Sequence, residues 1–380
     1  MTAVLAIFVV SLAVCLYVYF GYPALLWLLS RARPRPVRPG DALPSVSMVV
    51  AVHDEERVIG EKIANSLAID YPDLEVIFAS DGSTDATEAF IRAERSARIR
   101  LVALERRGKA GALNEGVAAA RGEIVVFTDA NNFLEPDAIR RIVRSFADPE
   151  VGGVCGNKKL RAPGEADATK EGENLYLRFD KWQKALEARI GSLFAADGTL
   201  YAIRRALYVP IDDPAQADDI AISTRIVLQG YRLVWEGDAI AWEDAPAEGA
   251  AEFRRKVRVT NHSVRALLNL GAALWTHGFY SVELLSHKLV RHLIPFFLIP
   301  LFVSNAVLAF RGRAFALLLA GQIAFYVLAL AGAALRDAPT GKSRVLSVPY
   351  YFCLVNAAAL LGVVSLVRGR RHSTWSPRGS

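Results

Sequence analysis

Long apolar runs without charge lie at both ends of the chain, and the middle alternates short apolar runs with polar stretches. The N-terminal run covers residues 3–29. A helix needs about 20 such residues to cross the hydrocarbon core of a bilayer. A cleaved signal peptide, the alternative, would begin with basic residues and have a shorter apolar core. We therefore predict an N-terminal transmembrane helix over residues 1–30.

The C-terminal region holds three further apolar stretches, at residues 289–310, 314–335 and 345–367, separated by short basic loops. They predict two to three transmembrane segments within residues 286–367, followed by a basic tail at 368–380. Lysine and arginine favour the cytoplasmic side of a membrane. Three crossings would place the basic tail outside, against that rule. The sequence therefore leaves the number of crossings open.

Two segments connect the apolar ends to the middle of the chain. Residues 31–43 are rich in proline and arginine, which predicts an extended linker on the cytoplasmic side. Residues 261–285 mix apolar residues with Arg265, Trp275 and Tyr280. This mixture predicts an amphipathic segment in the headgroup plane; a surface helix of the central domain is the alternative. The pattern predicts an integral protein of the plasma (inner) membrane with a cytoplasmic central domain.

Residues 44–260 alternate β-branched apolar runs with helical stretches. The run VSMVVAV is typical of a buried strand, and LEVIFAS, IRLVAL and GEIVVFTDA repeat it further along. A helical stretch follows each run. Strands that alternate with helices predict an α/β domain with a parallel sheet and right-handed crossovers. Ligands of such sheets bind beyond the carboxyl ends of the strands.

Composition and charge narrow the class of protein. The chain is 53% hydrophobic and 22% charged, with a net charge of +6. This much apolar surface excludes a disordered chain. Three scattered cysteines, Cys15, Cys155 and Cys353, exclude a disulfide scaffold and a CxxC metal site. The arginine clusters beside the apolar segments indicate lipid headgroups, rather than nucleic acid, as partners of the positive charge.

Acidic and polar side chains follow three of the predicted strands. They are HDEE at residues 53–56, DGSTD at 81–85 and TDAN at 128–131. Carboxylates gathered at one edge of a sheet repel each other unless a divalent cation or a cationic substrate group lies between them. Their oxygen atoms suit Mg²⁺ or Mn²⁺, and a diphosphate would complete the coordination. Each group alone is also typical of a turn or a helix cap.

A basic loop is a candidate phosphate site. No glycine-rich loop of the P-loop or Rossmann kind follows the first strand, which argues against both classes. Instead, Arg106-Arg107-Gly108-Lys109 precedes a predicted helix. A lysine beside the free N–H groups of a helix start suits an anionic phosphate. A solvated basic loop is the alternative.

The ordered set VSMVVAVHDEE, DGSTD, RRGKAGALNEG, FTDAN and the pair Asp218-Asp219 resembles the inverting family 2 glycosyltransferases, which include cellulose, chitin and hyaluronan synthases. The likeness covers about residues 44–260. It rests on the order of the motifs rather than on any single one. The resemblance implies an α/β, GT-A-type nucleotide-diphosphosugar transferase domain with flanking transmembrane helices.

The resemblance assigns roles to individual residues. Those implied to bind the nucleotide-sugar are Val52, His53, Glu55, Asp81, Lys109 and Asp129. Asp129 and Asn131 occupy the two DxD positions and are the implied ligands of Mg²⁺ or Mn²⁺. Asn131 can coordinate through its amide oxygen but carries no charge, which weakens the expected affinity. Asp197 and Gly198 resemble the acceptor-site loop.

Asp219 is the implied general base. Transfer with inversion needs a carboxylate to take the proton of the acceptor hydroxyl, and Asp219 matches the last residue of the family's ED motif. Asp218 stands where glutamate is usual, and two adjacent carboxylates raise the pKa of one of them. The alternative is an acidic cap at the start of a helix.

The sequence departs from the family at the QxxRW motif of processive synthases. Arg258 keeps the arginine position, whereas Arg255 replaces glutamine and Val259 replaces tryptophan. Arg255 and Arg258 are the expected diphosphate clamp. The loss of the motif's tryptophan argues against processive synthesis unless another one supplies the stacking surface; the candidates are Trp182, Trp235 and Trp242.

The predicted function is metal-assisted transfer of a sugar from a nucleotide-diphosphate donor to a polysaccharide or lipid-linked acceptor. By family habit the donor is a UDP-sugar. The alternative is a non-catalytic membrane protein that binds nucleotide or regulates polysaccharide export. Membrane lipids are expected partners and nucleic acid is not. The donor sugar, the linkage and any export or oligomer partner are left open.

Overall fold

The computed structural model describes residues 1–161, 168–244, 249–336 and 338–370, so most of the predicted basic tail lies outside the described residues. The N-terminal apolar run forms one helical rod. Its parts are α1, Thr2–Leu16, a π-helical turn, Tyr17–Gly21, and α2, Tyr22–Ala32. The whole rod, Thr2–Ala32, is long and apolar enough to cross a membrane.

Four parallel strands form the first half of a single sheet. They are β1 Val46–Val52, β2 Leu74–Asp81, β3 Ile99–Leu104 and β4 Ile124–Phe127. Their order in the sheet is β3-β2-β1-β4. Helices connect the strands: α3 Ile59–Leu67, α4 Thr87–Ala93 and α5 Gly108–Ala119. Every residue of β1 is buried because both faces of the sheet are covered, and the predicted alternation is confirmed in this half.

The second half of the sheet is mixed, so the parallel arrangement expected from the sequence ends at β4. Its strands are β5 Asn132–Leu134, β6 Val151–Arg161, β7 Tyr201–Arg204 and β8 Arg232–Asp244. Strand β7 is antiparallel to β4 and β6, β6 is parallel to β8, and β5 is antiparallel to β8. A parallel pair needs a crossover that returns over the sheet, and the β6–β7 connection does not provide one.

Four helices belong to this half: α6 Ala138–Val143, α7 Ala168–Ile190, α8 Asp218–Leu228 and α9 Gly249–Leu268. Helix α7 lies in the β6–β7 connection and packs mainly against α2 and the C-terminal helices. Helix α9 continues past residue 260, so the predicted end of the central domain falls inside a helix.

The C-terminal region is helical throughout its described part. Its helices are α10 Ala273–Thr276, α11 Phe279–Glu283, α12 Arg291–Leu293, α13 Pro295–Leu308, α14 Arg313–Ala334 and α15 Arg344–Val367. A π-helical turn, Leu284–Val290, joins α11 to α12. Helices α14 and α15 are each long and apolar enough to cross a membrane. Phe279–Leu293 and Pro295–Arg311 together make a fourth candidate span, bent by 56°.

Helix α15 is fixed to the central domain as well as to its neighbour α14. A Cβ placed on Gly362 would lie 2.6 Å from Cβ of Thr260, so the two helices approach closely at this glycine. Asn261 Nδ2 donates to Ser365 Oγ at 2.8 Å. The segment predicted to lie in the headgroup plane is divided between α9, α10 and α11. Trp275 is 65% exposed there, whereas Tyr280 is buried and donates to the carbonyl of Phe194.

Candidate active site

A cavity of about 340 Å³ opens at the carboxyl ends of β1 and β4. It brings together most of the site residues that the sequence predicts, from motifs far apart in the chain. Those that line it are Glu55, Lys109, Asp129, Asn131, Asp197, Gly198, Asp218, Asp219, Arg255 and Arg258. The other three predicted residues, Val52, His53 and Asp81, are buried beside it rather than lining it.

Asp81 organises the basic loop before α5. Its carboxylate is fully buried and accepts the backbone N–H groups of Arg107, at 2.5 Å, and Gly108, at 2.9 Å. Gly108 has a φ of +80°, which is unfavourable for residues with a Cβ. The aspartate at the end of β2 is thus joined to the RGK sequence, whose glycine lies 27 residues later in the chain. In this conformation Asp81 fixes the loop that presents Lys109.

Lys109 joins two acidic motifs across the cavity. Its Nζ lies 2.8 Å from Asp129 Oδ1 and 3.1 Å from Asp218 Oδ2. Burial opposes the charge on Lys109, but the two carboxylates outweigh it and hold the pKa of the lysine above its ordinary value. The start of α5, the end of β4 and the start of α8 therefore meet at one ammonium group.

Asp219 is the second residue of α8 and contacts the loop that contains Asp197 and Gly198. Its Oδ2 accepts the backbone N–H of Gly198 at 3.1 Å. Burial, together with repulsion from Asp218 and Asp197, raises the pKa of Asp219 to about 6. A carboxylate with such a pKa is a suitable general base near neutral pH, because it is ionised and still basic.

Asp197 lies in the same cavity and its pKa is shifted in the opposite direction. Burial would raise the pKa of Asp197, but Lys158, Lys184 and a hydrogen bond from Thr199 Oγ1 at 2.7 Å outweigh it and lower it. Two carboxylates whose pKa values are pushed apart can take different roles. This contrast favours Asp219 over Asp197 as the proton acceptor.

Asp129 and Asn131 both line the cavity. Across residues 1–161, 168–244, 249–336 and 338–370, no group of three or more His, Cys, Asp or Glu side chains is placed to hold a metal ion. One oxygen of Asp129 is also paired with Lys109. Magnesium is commonly held by one or two carboxylates plus the phosphates of a substrate. The donor set therefore fits a divalent cation that arrives with a diphosphate.

The two arginines of the expected clamp differ in their surroundings. Arg255 Nε donates to Glu252 at 2.6 Å and its Nη2 donates to Glu173 at 2.9 Å, and both carboxylates are buried. Much of its guanidinium is thus engaged within the protein. Arg258 also lines the cavity, as does Val259, which stands at the position of the family's tryptophan.

Two aromatic rings among the described residues that line the cavity were missed by sequence reasoning, Tyr176 and Phe194. Tyr176 on α7 has Arg291 4.6 Å and Lys256 5.2 Å from its ring centroid. No tryptophan is among these lining residues. Trp182 is 42% exposed and lies two residues beyond Asp180, which turns it to another face of α7. Trp242 donates its Nε1–H to Glu135.

A buried lysine below the cavity was also missed. Lys62 on α3 is fully buried and donates to the carbonyl of Asn132 and to Thr128 Oγ1. Burial lowers the pKa of Lys62 to about 7, although Asp129 opposes the shift. The lysine thus holds both sides of the turn that carries Asp129. The sequence signal that could have identified Lys62 is a charged residue on the apolar face of α3.

Three comparisons with known proteins agree with this geometry. A family model described as "Glycosyltransferase like family 2" matches residues 44–261. Poly-beta-1,6-N-acetyl-D-glucosamine synthase from Staphylococcus aureus is 28% identical over 225 residues, which cover 57% of this chain and 54% of that protein. The synthase of Staphylococcus epidermidis with the same description is 26% identical over 220 residues, covering 56% and 53%. The chain thus spans about half the length of these curated relatives.

A solved structure matches nearly the whole chain. It is a mannosyltransferase from Pyrobaculum calidifontis in complex with GDP-Man and Mn²⁺, with a TM-score of 0.73 and 25% sequence identity. The match covers 96% of this chain and 99% of the mannosyltransferase. The likeness therefore includes the terminal helices as well as the central domain, which has a GT-A glycosyltransferase fold.

Proposed function

The chain belongs to the glycosyltransferase-like family 2, and we propose that it is a membrane-bound inverting transferase that acts on a nucleotide-diphosphate sugar. The acceptor is a polysaccharide or a lipid-linked sugar. One observation carries the proposal: Asp219, with its raised pKa, shares a cavity with the Lys109, Asp129 and Asp218 cluster. A candidate base and a candidate diphosphate site thus line one cavity of about 340 Å³.

Asp219 takes the proton in this reaction. The acceptor hydroxyl loses its proton to the Asp219 carboxylate while its oxygen forms a bond to the anomeric carbon of the donor sugar. The bond between that carbon and the diphosphate oxygen breaks, and its electron pair leaves with the nucleoside diphosphate. Attack from the face opposite the leaving group inverts the anomeric centre. The N–H of Gly198 holds one oxygen of Asp219 in place.

The diphosphate side is served by Lys109 and by the start of α5. A nucleotide that enters the cavity meets Lys109 between Asp129 and Asp218. Its phosphates can replace Asp218 as partners of the ammonium group. Asp129 and Asn131 would hold Mg²⁺ or Mn²⁺ together with the phosphates. When bound, the cation supplies charge that stabilises the leaving diphosphate.

The nucleotide and sugar of the donor are proposed only as a class. The matched mannosyltransferase was solved with GDP-Man and Mn²⁺, and the matched synthases are described by an N-acetyl-D-glucosamine polymer. The first description supports a nucleotide-diphosphate sugar as donor and the second supports a glycan product, and a UDP-sugar remains the expectation from the sequence. His53, Glu55 and Val52, at the end of β1, are proposed to contact the base. Arg255 and Arg258 are proposed to face the diphosphate and acceptor.

The orientation in the membrane is proposed from charge. The rod Thr2–Ala32 is followed by arginines, and the linker leads directly into β1. The positive-inside rule then places the linker and the central domain at the cytoplasmic face. Nucleotide-sugars are made in the cytoplasm, so this orientation gives the cavity access to its donor.

Purified full-length protein in lipid nanodiscs tests the proposal. We expect turnover of at least one member of a panel of UDP- and GDP-sugars with Mn²⁺ or Mg²⁺, measured as released nucleoside diphosphate and as glycosylated product by mass spectrometry. Asp219→Asn should lower kcat by about 10²–10⁴-fold. Asp212→Asn is the matched control because that carboxylate is 88% exposed and outside the cavity. Nucleotide binding without turnover in the wild type would instead support the non-catalytic alternative.

A further inference from the structure

Five lysines line the cavity, and four of them are ion-paired. Lys109 pairs with Asp129 and Asp218, and Lys158 with Glu243; Lys184 pairs with Asp180 and Asp197, and Lys256 with Glu173 and Glu252. Lys288 differs. Within residues 1–161, 168–244, 249–336 and 338–370 it forms no ion pair with a carboxylate, and its Nζ lies 5.3 Å from the centroid of the Phe194 ring.

Lys288 lies in Phe279–Leu293, the first limb of the bent candidate span. It belongs to the π-helical turn Leu284–Val290, whereas the predicted catalytic residues all belong to the central domain. Its charge nevertheless acts on the base, since it lowers the pKa of Asp219 against the larger effects of burial and of Asp218. Lys288 lines the same cavity as Asp219, beside which the proposed function has the acceptor hydroxyl.

The turn that carries Lys288 is fixed by its neighbour His287. Nδ1 of His287 lies 2.6 Å from Glu187 and Nε2 lies 3.2 Å from Asp180. Both partners are carboxylates on α7. Tyr22 of the N-terminal rod donates to the same oxygen of Glu187 at 2.7 Å. Two candidate spans and α7 thus meet at one buried glutamate, which holds the position of Lys288 over Phe194.

Lys288 is partly buried, and within the described part of the chain its Nζ lies over an aromatic ring rather than beside a counter-ion. An anionic ligand would supply the charge that the other four cavity lysines receive from paired carboxylates. We propose that Lys288 binds a phosphate group of the acceptor, and that this acceptor is a sugar linked through that phosphate to a membrane lipid, so that a sugar hydroxyl remains to give its proton to Asp219. The inference rests on the proposed function, because it assigns the acceptor side of the same cavity. Ammonium groups bind phosphate as compact point charges.

The place of Lys288 favours a lipid over a soluble sugar phosphate. Four of the other six residues in the turn are apolar, namely Leu284, Leu285, Leu289 and Val290, and the remaining two are Ser286 and His287. Helices α12 and α13 follow, and α13 belongs to the second limb of the bent candidate span. A phosphate held at Lys288 is therefore next to a segment proposed to enter the hydrocarbon region, where a lipid chain would continue. A carboxylate on an acidic glycan is the competing ligand that the experiment separates.

The test uses full-length protein in nanodiscs with a donor that the wild type turns over. Four acceptors are compared: a sugar linked to a polyprenyl phosphate, the same sugar on a short water-soluble alkyl phosphate, the same sugar as a neutral alkyl glycoside, and a uronic-acid oligosaccharide. The variants are Lys288→Met, Lys288→Arg and, as a matched control, Lys159→Met, whose side chain does not line the cavity. KM for each acceptor, KM for the donor and donor hydrolysis by water are measured for each variant.

We expect the wild type to prefer the polyprenyl-phosphate-linked sugar over the other three acceptors. Lys288→Met should raise the KM for this acceptor by about tenfold or more, with donor KM within twofold and donor hydrolysis retained. Lys288→Arg should restore most of the affinity, and Lys159→Met should match the wild type. A preference for the neutral glycoside or the uronic-acid oligosaccharide overturns the inference, as does a Lys288→Met effect on donor KM alone. A preference for the short alkyl phosphate acceptor overturns the claim that the acceptor is a membrane lipid.

These outcomes are distinguishable from failure of the proposed function. If the wild type turns over no donor, even by hydrolysis, the transferase proposal itself is wrong. If the donor is hydrolysed and Asp219→Asn abolishes this, but the phosphate acceptors are not preferred, only the assignment of Lys288 is wrong. Retained donor hydrolysis in Lys288→Met also shows that this variant is folded.

Discussion

The two sides of the cavity are assembled in different ways. The nucleotide side is built by segments that follow β1, β3 and β4 in the parallel half of the sheet, and Asp81 at the end of β2 holds the loop after β3. The acceptor side is built by α7, α9 and the π-helical turn Leu284–Val290. These elements are far apart in the chain, and one of them lies within a candidate membrane span.

The sheet determines the geometry of the nucleotide side, and the helices next to the candidate membrane spans determine the geometry of the acceptor side. On the nucleotide side, strand ends and backbone N–H groups fix the geometry, as Asp81 shows by binding the loop before α5. On the acceptor side, long side chains on helices do so through buried ion pairs such as Lys184 with Asp180. We infer that donor recognition depends on the central domain, whereas acceptor recognition depends on how the domain sits against its membrane helices.

Among the predictions that test this comparison, the largest effect is expected from a substitution of Lys109. Lys109→Met removes the ammonium group that Asp129 and Asp218 share, so two carboxylates and a diphosphate would face each other uncompensated. We expect kcat to fall by about 10²–10³-fold, as for the loss of one stabilising donor in a transition state. Released nucleoside diphosphate is the measurement. Arg107→Gln is the control, because that side chain is 60% exposed and pairs with Glu115; equal losses in both variants would contradict the specific role of Lys109.

The second prediction concerns the metal on the nucleotide side. Asn131→Asp adds a charged ligand beside Asp129, and we expect it to strengthen Mn²⁺ binding by about tenfold when a nucleoside diphosphate is present. Titration calorimetry or Mn²⁺ electron paramagnetic resonance measures the affinity. Without nucleotide, binding should stay weak in both proteins, since no cluster of three protein ligands exists among the described residues. Strong binding to the wild type without nucleotide would show that the cation does not depend on the diphosphate.

The same comparison explains what the sequence could predict. The motifs of the nucleotide side lie within a few residues of strands that are recognisable as short apolar runs. The position of Asp129 after β4 could therefore be predicted from the alternation of strands with helices and from the order of the motifs. The strand directions in the mixed half of the sheet could not be predicted, because the direction of β7 depends on where α7 packs. The distinction between Asp218 and Asp219 came from the resemblance and not from spacing.

The acceptor side was largely hidden from sequence reasoning for a physical reason. Tyr176, Asp180 and Lys184 recur on one face of α7, but the same periodicity describes any amphipathic helix. Lys288 stands next to an apolar segment, where a lysine is usually interfacial. Its role in the cavity follows only from the contacts of His287 with α7, and the sequence carries no signal for that pairing.

The third prediction tests the roles of Asp218 and Asp219 through the pH dependence of kcat. The pKa of Asp219 is raised to about 6 by burial first and by Asp218 and Asp197 next, so activity should fall as the pH drops through about 6 and the base becomes protonated. Asp218→Asn removes one repulsive charge, which lowers the pKa of Asp219. The acid limb of kcat should then move down by about one pH unit. An upward shift, or no shift, would contradict Asp219 as the group that titrates in that limb.

The smallest expected effect concerns the aromatic surface of the acceptor side. Tyr176→Ala removes a ring that lines the cavity between Arg291 and Lys256, and we expect acceptor KM to rise about three- to fivefold with donor KM unchanged. Tyr176→Phe keeps the ring and should keep the acceptor KM. Trp182→Ala is the matched control on the same helix, because its side chain is 42% exposed and does not line the cavity. If Trp182→Ala raised acceptor KM as much as Tyr176→Ala, the effect would belong to the stability of α7. If Tyr176→Ala raised donor KM instead, the division of the cavity into two sides would be wrong at this helix.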